Sequence, residues 1–306
     1  MKNKESFLYK TKDYIAFKFV EFLFFIPKYV PISITNTVCG VLAVLFCPLV
    51  PATRTAFNNI KMIMPELKSG EIINLIFKIW YNLGLFGGEF SYVYSMENEK
   101  FDKLVFCSEE SQKLLKQVEK SGKGAIFFSA HFSNWEIGLR YLTRFNFKLN
   151  VVFRKSNNEK IENIYINGLR EKFGINMIAK GDNAGIKILR ALKNKEVVII
   201  LADQRDDRGE LLDFMGQKAY TNISVGAIGL KSCSDIYGIR VVRKNNKAKF
   251  EIICDKYINI EQYKDNNLDF KQNSINIMQE VNDTIGSWAK ENPEQWFWVH
   301  NRWKKR

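Results

Sequence analysis

Histidine is the scarcest reactive residue in this chain: among 306 residues there are two, His131 and His300. That count excludes a histidine-rich metal site. The five cysteines (Cys39, Cys47, Cys107, Cys233, Cys254) lie scattered, with no C-x-x-C pair. Such spacing argues against a disulfide framework and a cysteine-based zinc site, and it suits a reducing compartment. Proline is scarce after the start: five of the six fall within the first 65 residues, and the last is Pro293. The long stretch between Pro65 and Pro293 therefore reads as one continuous globular domain. A G-x-S-x-G nucleophile elbow is missing as well. Charge itself is absent from the 25 residues Tyr29–Thr53.

What is present is positive charge and aromatic area. Lys and Arg number 46 against 33 Asp and Glu, a net charge of +13, with 24 Phe, 12 Tyr and 6 Trp. Anionic partners are expected from this balance: lipid headgroups, phosphorylated glycolipids, nucleic acid or an acidic carrier protein. The basic residues are spread along the chain and no nucleic-acid motif appears, so nucleic acid is not expected among them. The uncharged stretch, with its apolar centre Val38–Val50, is the membrane candidate. A spanning helix needs about 20 apolar residues. The prolines and the polar run Ser33–Thr37 favour an anchor that lies in or partly crosses the bilayer. Basic residues flank it on both sides (Lys2, Lys4, Lys10, Lys12; Arg54, Lys61), which leaves orientation unspecified. No short apolar run ends in a small-x-small site, so no cleaved signal peptide is expected. Residues 1–65 are read as a membrane-anchoring segment and 66–306 as the catalytic domain. A pair of buried core helices is the alternative for the N-terminal part.

Beyond residue 100 short apolar runs recur: Ala125–Ser129, Leu149–Phe153, Ile175–Ala179, Val197–Ala202, Ile236–Val242 and Phe250–Asp255. Helical stretches separate most of them, such as Glu159–Phe173 closed by Gly174, and Asp182–Lys193 capped by Asp182. The polar turn Lys244–Lys247 joins the last two as a hairpin. The alternation specifies an α/β fold, a mostly parallel central sheet flanked by helices, with an N-terminal membrane-associated helical segment. In such folds ligands bind beyond the carboxyl ends of the strands. Those ends carry His131 and Glu136, Arg154, and Asp203 with Gln204, so His131, Arg154 and Asp203 should share a cleft. His131 in a strand-to-helix turn and Glu136 in the first helical turn, with Ser133 as N-cap, would form an acid–base pair, the carboxylate holding the imidazole. The new helix would offer N–H groups to an oxyanion or phosphate. A plainer reading stands beside this one: Ser133-x-x-Glu136 is itself a capping box, and strand-end charges are often only solvated.

The stretch Gly124–Gly138, with His131-Phe-Ser-Asn134-Trp135-Glu136, resembles the H-x4-[D/E] signature of the lysophospholipid acyltransferase superfamily. Its form His-x-x-Asn-Trp-Glu is most similar to the lipid A biosynthesis (lauroyl/myristoyl) acyltransferase family. Asn58-Asn59-Ile60 with Pro65-Glu66, Val152-Phe153-Arg154, Ala202-Asp203-Gln204 and Pro293–Trp303 resemble further landmarks of that family in the same order. Residue 130 is Ala, where the glycerolipid branch typically has Asn, which points away from glycerol-phosphate acylation. The resemblance implies transfer of a fatty acyl chain from acyl-carrier-protein thioester to a hydroxyl of a lipid A precursor, late in lipopolysaccharide or lipooligosaccharide biosynthesis. It places the reaction at the cytoplasmic face of the bacterial inner membrane. It implies His131 and Glu136 as catalytic residues and Asn134, Arg154, Arg170, Asp203 and Gln204 as substrate-binding, Arg154 and Arg170 contacting phosphate or sugar. Neither metal nor cofactor is expected, since the thioester is already activated. The partners expected are acyl carrier protein, an anionic glycolipid acceptor and the bilayer. His300 and the tail Trp303–Arg306 are read as interfacial, the tail meeting the headgroup zone. An ester hydrolase using the same dyad, acylation of another glycolipid or phospholipid, and a non-enzymatic membrane scaffold are the competing readings.

Overall fold

The runs Ala125–Ser129 (AIFFS) and Val197–Leu201 (VVIIL) lack the alternation of a strand with one wet face. Runs of this kind belong to strands covered on both sides. The computed structural model, which describes residues 7–26, 29–155, 158–181, 183–263 and 268–304, sets both at the centre of a seven-stranded sheet. The chain opens with helices α1 (Phe7–Phe25), α2 (Ile32–Phe46), α3 (Pro51–Ile63) and α4 (Ser69–Val93). Then come α5 (Asn98–Asp102), β1 (Val105–Cys107), α6 (Glu109–Ser121), β2 (Ala125–Ser129), α7 (Trp135–Leu142) and β3 (Leu149–Phe153). The expected helix at 159–173 is broken by a π-turn, Glu162–Asn167, between α8 (Glu159–Ile161) and α9 (Gly168–Lys172), and Gly174 closes it at φ 77°. There follow β4 (Ile175–Ala179), α10 (Ala184–Lys193), β5 (Val197–Leu201), β6 (Arg205–Phe214), β7 (Gln217–Thr221), α11 (Ser224–Ser232), β8 (Ile236–Arg243), β9 (Phe250–Ile258) and α12 (Phe270–Glu291). The proposed cap Asp182 lies outside the described residues; Asn183 precedes α10.

Strand order is β1-β9-β8-β2-β5-β3-β4. The pairs β8–β2, β2–β5, β5–β3 and β3–β4 are parallel, and β8–β9 form the expected antiparallel hairpin. Residues of β2 alternate between two cores: Ile126 and Phe128 join one, Ala125 and Phe127 the other. Helices cover both faces, as the βα alternation requires. The short edge strand β1 and the separate β6–β7 hairpin were not expected from the sequence. The polar run Arg205–Glu210 at the start of β6 hides that strand from an apolar-pattern reading.

α2 crosses α4 at backbone distance. A Cβ on Gly84 would stand 2.4 Å from the Cys39 carbonyl oxygen, so only glycine fits there. The inward face of α2 buries Thr35 and Asn36, whereas Ile34, Val38, Val41, Leu42 and Leu45 are exposed at helical spacing. Ile32–Leu49 is long and apolar enough to cross a membrane, and only 22% of it is buried within the protein. Burial therefore goes against a core-helix reading for α2: its apolar side faces away from the protein.

Candidate active site

β2 and β5 pair in register, with Ser129 opposite Leu201. Two residues further along each strand stand His131 and Asp203, so the register itself brings imidazole and carboxylate together. The His131 Nδ1 is 2.8 Å from Asp203 Oδ1, and its backbone N–H donates to Oδ2 at 2.9 Å. Trp296 Nε1 donates to the same Oδ2 at 3.1 Å. Burial alone would raise the Asp203 carboxyl, but the imidazole, these N–H donors and the indole outweigh it and hold the group at about 2. An ionised carboxylate can only accept, so Nδ1 carries a proton, and in the neutral imidazole the lone pair is left on Nε2. Gln204 Nε2 faces that lone pair at 3.4 Å.

The turn after His131 is bound on both sides. Ser133 takes a left-handed conformation (φ 49°), its N–H donates to the Gln295 carbonyl at 2.7 Å, and Phe132 bridges Trp296. Ser133 therefore does not cap α7; Asn134 occupies that position, and the capping box suggested by Ser133-x-x-Glu136 does not form. Asn134, expected at a substrate surface, is fully buried, and its amide donates to Glu89 at 2.9 Å. Glu89 also accepts from Asn36 of α2 at 2.6 Å and from both terminal nitrogens of Arg243. Each of these polar groups is buried, which a charge tolerates only when so paired.

Glu136 is buried too. It accepts from Tyr94 at 2.6 Å, from Trp135 Nε1 at 3.1 Å, and from Arg170 Nε at 3.1 Å and Nη2. Among the described residues its hydrogen bonds run to these three and not to His131, so the sequence-derived His131–Glu136 pair is replaced in space by His131–Asp203. Burial would lower the Arg170 guanidinium, but Glu136 and then Tyr94 raise it instead. Burial and the Glu136 charge push the Tyr94 hydroxyl well up. Arg170 thus turns toward a carboxylate of the protein, where the sequence reading gave it a phosphate or sugar. Arg154 is exposed at the end of β3, beside Lys180, which sequence reasoning missed. The signal was available: Lys180 directly follows β4, as Arg154 follows β3.

These groups border a cavity of about 640 Å³. Its polar lining is His131, Ser129, Gln204, Arg154, Lys180 and the Glu136–Arg170 pair. Leu139, Leu142, Val151, Ile199, Ile239 and Val241 line the remainder between α7 and the sheet, with Val20 and Phe24 of α1 also on its wall. A mostly apolar cleft with a few convergent polar groups fits a ligand with one reactive head and a hydrocarbon body. Among the described residues no group of His, Cys, Asp and Glu is arranged to hold a metal ion.

His300 is half-buried and engaged within the protein. Its Nε2 accepts from the Arg205 backbone N–H at 3.0 Å, and burial lowers its proton affinity, partly offset by Asp203. Trp303 is buried against Phe214, Trp296 and Trp298, which corrects the reading of that tryptophan as a headgroup contact; Lys305 and Arg306 lie outside the described residues. A search of curated proteins returns no match. The model of the bacterial lipid A biosynthesis acyltransferases matches residues 1–305, nearly end to end, and the chain belongs to that family.

Proposed function

We propose that this lipid A biosynthesis acyltransferase takes its acyl chain from an acyl-carrier-protein thioester and delivers it to a hydroxyl of a nearly complete lipid A precursor, in late acylation. One observation carries the reading: an imidazole fixed through Nδ1 by a buried carboxylate borders a mostly apolar cavity of about 640 Å³. Nε2 takes the acceptor hydroxyl proton as oxygen attacks the thioester carbonyl, and Asp203 stabilises the imidazolium. Collapse of the tetrahedral intermediate expels thiolate, which recovers the proton. The first N–H groups of α7, beside His131, are suited to the transient oxyanion. Thiolate leaves readily, so no serine or cysteine nucleophile is needed.

Arg154 and Lys180 are read as contacts for anionic groups of either substrate. Residues 1–65 serve as the anchoring segment and 66–306 as the catalytic domain, with α1 lending Val20 and Phe24 to the acyl wall. The family is membrane-associated in bacteria. The apolar face of α2 supports attachment to a membrane; the inner membrane, with the site on the cytoplasmic side, completes this reading.

The test supplies purified enzyme in lipid with acyl-carrier thioester, with and without a lipid A precursor. Donor consumption is expected only with acceptor, and His131→Ala is expected to lose nearly all transfer. Steady hydrolysis of donor without acceptor would favour the esterase reading. Mass spectrometry of lipid A from cells with and without the gene should show one acyl chain gained.

A further inference from the structure

The second half of the H-x4-E signature has no imidazole nitrogen left to serve. Nδ1 is held by Asp203 at 2.8 Å, and Nε2 faces Gln204 and the cavity. Both Glu136 oxygens are engaged by Arg170, Tyr94 and Trp135. What Glu136 touches nevertheless borders the reaction. The Trp135 ring meets His131 edge-on at 4.9 Å between centroids and stacks on Phe86 at 4.3 Å, while Arg170 lines the cavity. Resting on the proposed acyl transfer, we infer that Glu136 stands outside the proton relay. It is a positioning residue that locks the Trp135 indole against the imidazole and fixes the Arg170 guanidinium on the cavity wall, where it meets the polar thioester end of the acyl donor.

Three features support this. Glu136 and Arg170 are both buried, so each is the other's charge compensation; a lone buried ion of either sign would be strongly disfavoured. Arg170 uses Nε and Nη2 on the carboxylate, a two-point grip that fixes the guanidinium plane. Tyr94, directly after α4, adds a further donor, so α9 and the end of α4 hold the carboxylate along with Trp135 of its own helix. A relay carboxylate would direct an oxygen at the ring nitrogen it polarises, and Asp203 does so.

The experiment compares pH–rate profiles of kcat/KM for the full chain in lipid, using acyl-carrier thioester and lipid A precursor. Asp203→Asn should cost about 10³- to 10⁴-fold and move the acidic limb, as loss of an orienting carboxylate does in hydrolytic triads. Glu136→Gln should cost about 10²-fold through misplacement, with its acidic limb where the wild type has it. Arg170→Met removes the guanidinium that Glu136 positions, and adding Glu136→Gln to it should cost less than Glu136→Gln costs in the wild type, because the carboxylate then has no cation left to place. The double variant also reports if Glu136→Gln alone fails to fold. An acidic limb displaced in Glu136→Gln or in the double variant, or a double loss equal to the product of the single losses, would overturn the inference. Full transfer by His131→Ala would instead refute the acyl-transfer reading beneath it.

Discussion

α2 near the start and the tail that begins at Trp303 both read as membrane contacts in the sequence, and the fold treats α2 and Trp303, with the segment 293–303 that leads to it, oppositely. Leu45 on α2 is 65% exposed, whereas Trp303 is 9% exposed. The difference lies in polar partners rather than hydrophobicity. Every tryptophan of the C-terminal segment has somewhere to send its indole N–H: Trp296 to Asp203, Trp298 to the Pro293 carbonyl, Trp303 to the Phe214 carbonyl. Arg302, fully buried, reaches the Tyr220 carbonyl and Thr221. α2 has such partners on one side only, Thr35 with Tyr92 and Asn36 with Glu89; its other side exposes Ser33 and Thr37 in the first turns and, beyond them, Val38, Val41, Leu42, Leu45 and Phe46. Buried indoles find hydrogen-bond partners, and the segment that has them belongs to the active-site scaffold.

The comparison can be broken most forcefully at Trp296. Trp296→Ala should destabilise the fold by about 3–5 kcal/mol, since it empties a core position and strips Asp203 of a donor; denaturant unfolding in detergent measures this. A loss under 1 kcal/mol would mean the C-terminal segment is only an appendage. The acid behaviour of Asp203 comes next. Its folded pKa is depressed, so its stabilising contribution is complete above the ordinary carboxylate range near 4 and fades as pH falls toward about 2. The stability gap between wild type and Asp203→Asn should therefore shrink by about 2 kcal/mol between pH 5 and pH 2. A gap that stays constant would place the charge elsewhere.

Trp296→Phe keeps an aromatic ring while losing the N–H and part of the indole volume, so about 1–2 kcal/mol is expected, with a drop in kcat at unchanged KM. The smallest effect on folding belongs to α2. Leu42→Ser with Leu45→Ser should change unfolding free energy by no more than about 0.5 kcal/mol each, yet shift the protein from the membrane to the soluble fraction on sedimentation. A large loss of stability from these exposed changes would return α2 to the core-helix reading.

Much of the scaffold was legible because its strands are fully buried and therefore continuously apolar. The hairpin at Lys244–Lys247 and the helix-stopping Gly174 were equally plain. The convergence of His131, Arg154 and Asp203 followed from topology. Which carboxylate meets the imidazole did not, because parallel strand register leaves no mark on the sequence: Glu136 is five residues away along the chain, and Asp203 is adjacent only through β2–β5 pairing. The same limit hid the inward turns of Asn134 and Arg170, whose partners Glu89 and Glu136 come from other elements. Ser133 misled for a local reason: its left-handed backbone is imposed by Gln295 across the turn.

The glycine crossing of α2 and α4 makes the anchor a rigid spar instead of a tether. With the two backbones in van der Waals contact, α2 cannot swivel without driving its Cβ atoms into α4 or tearing Asn36 from Glu89. On the proposed attachment, with the outward face of α2 immersed, the height and tilt of the cavity mouth above the lipid are set as well, so the proposed acceptor would meet the imidazole at a fixed depth.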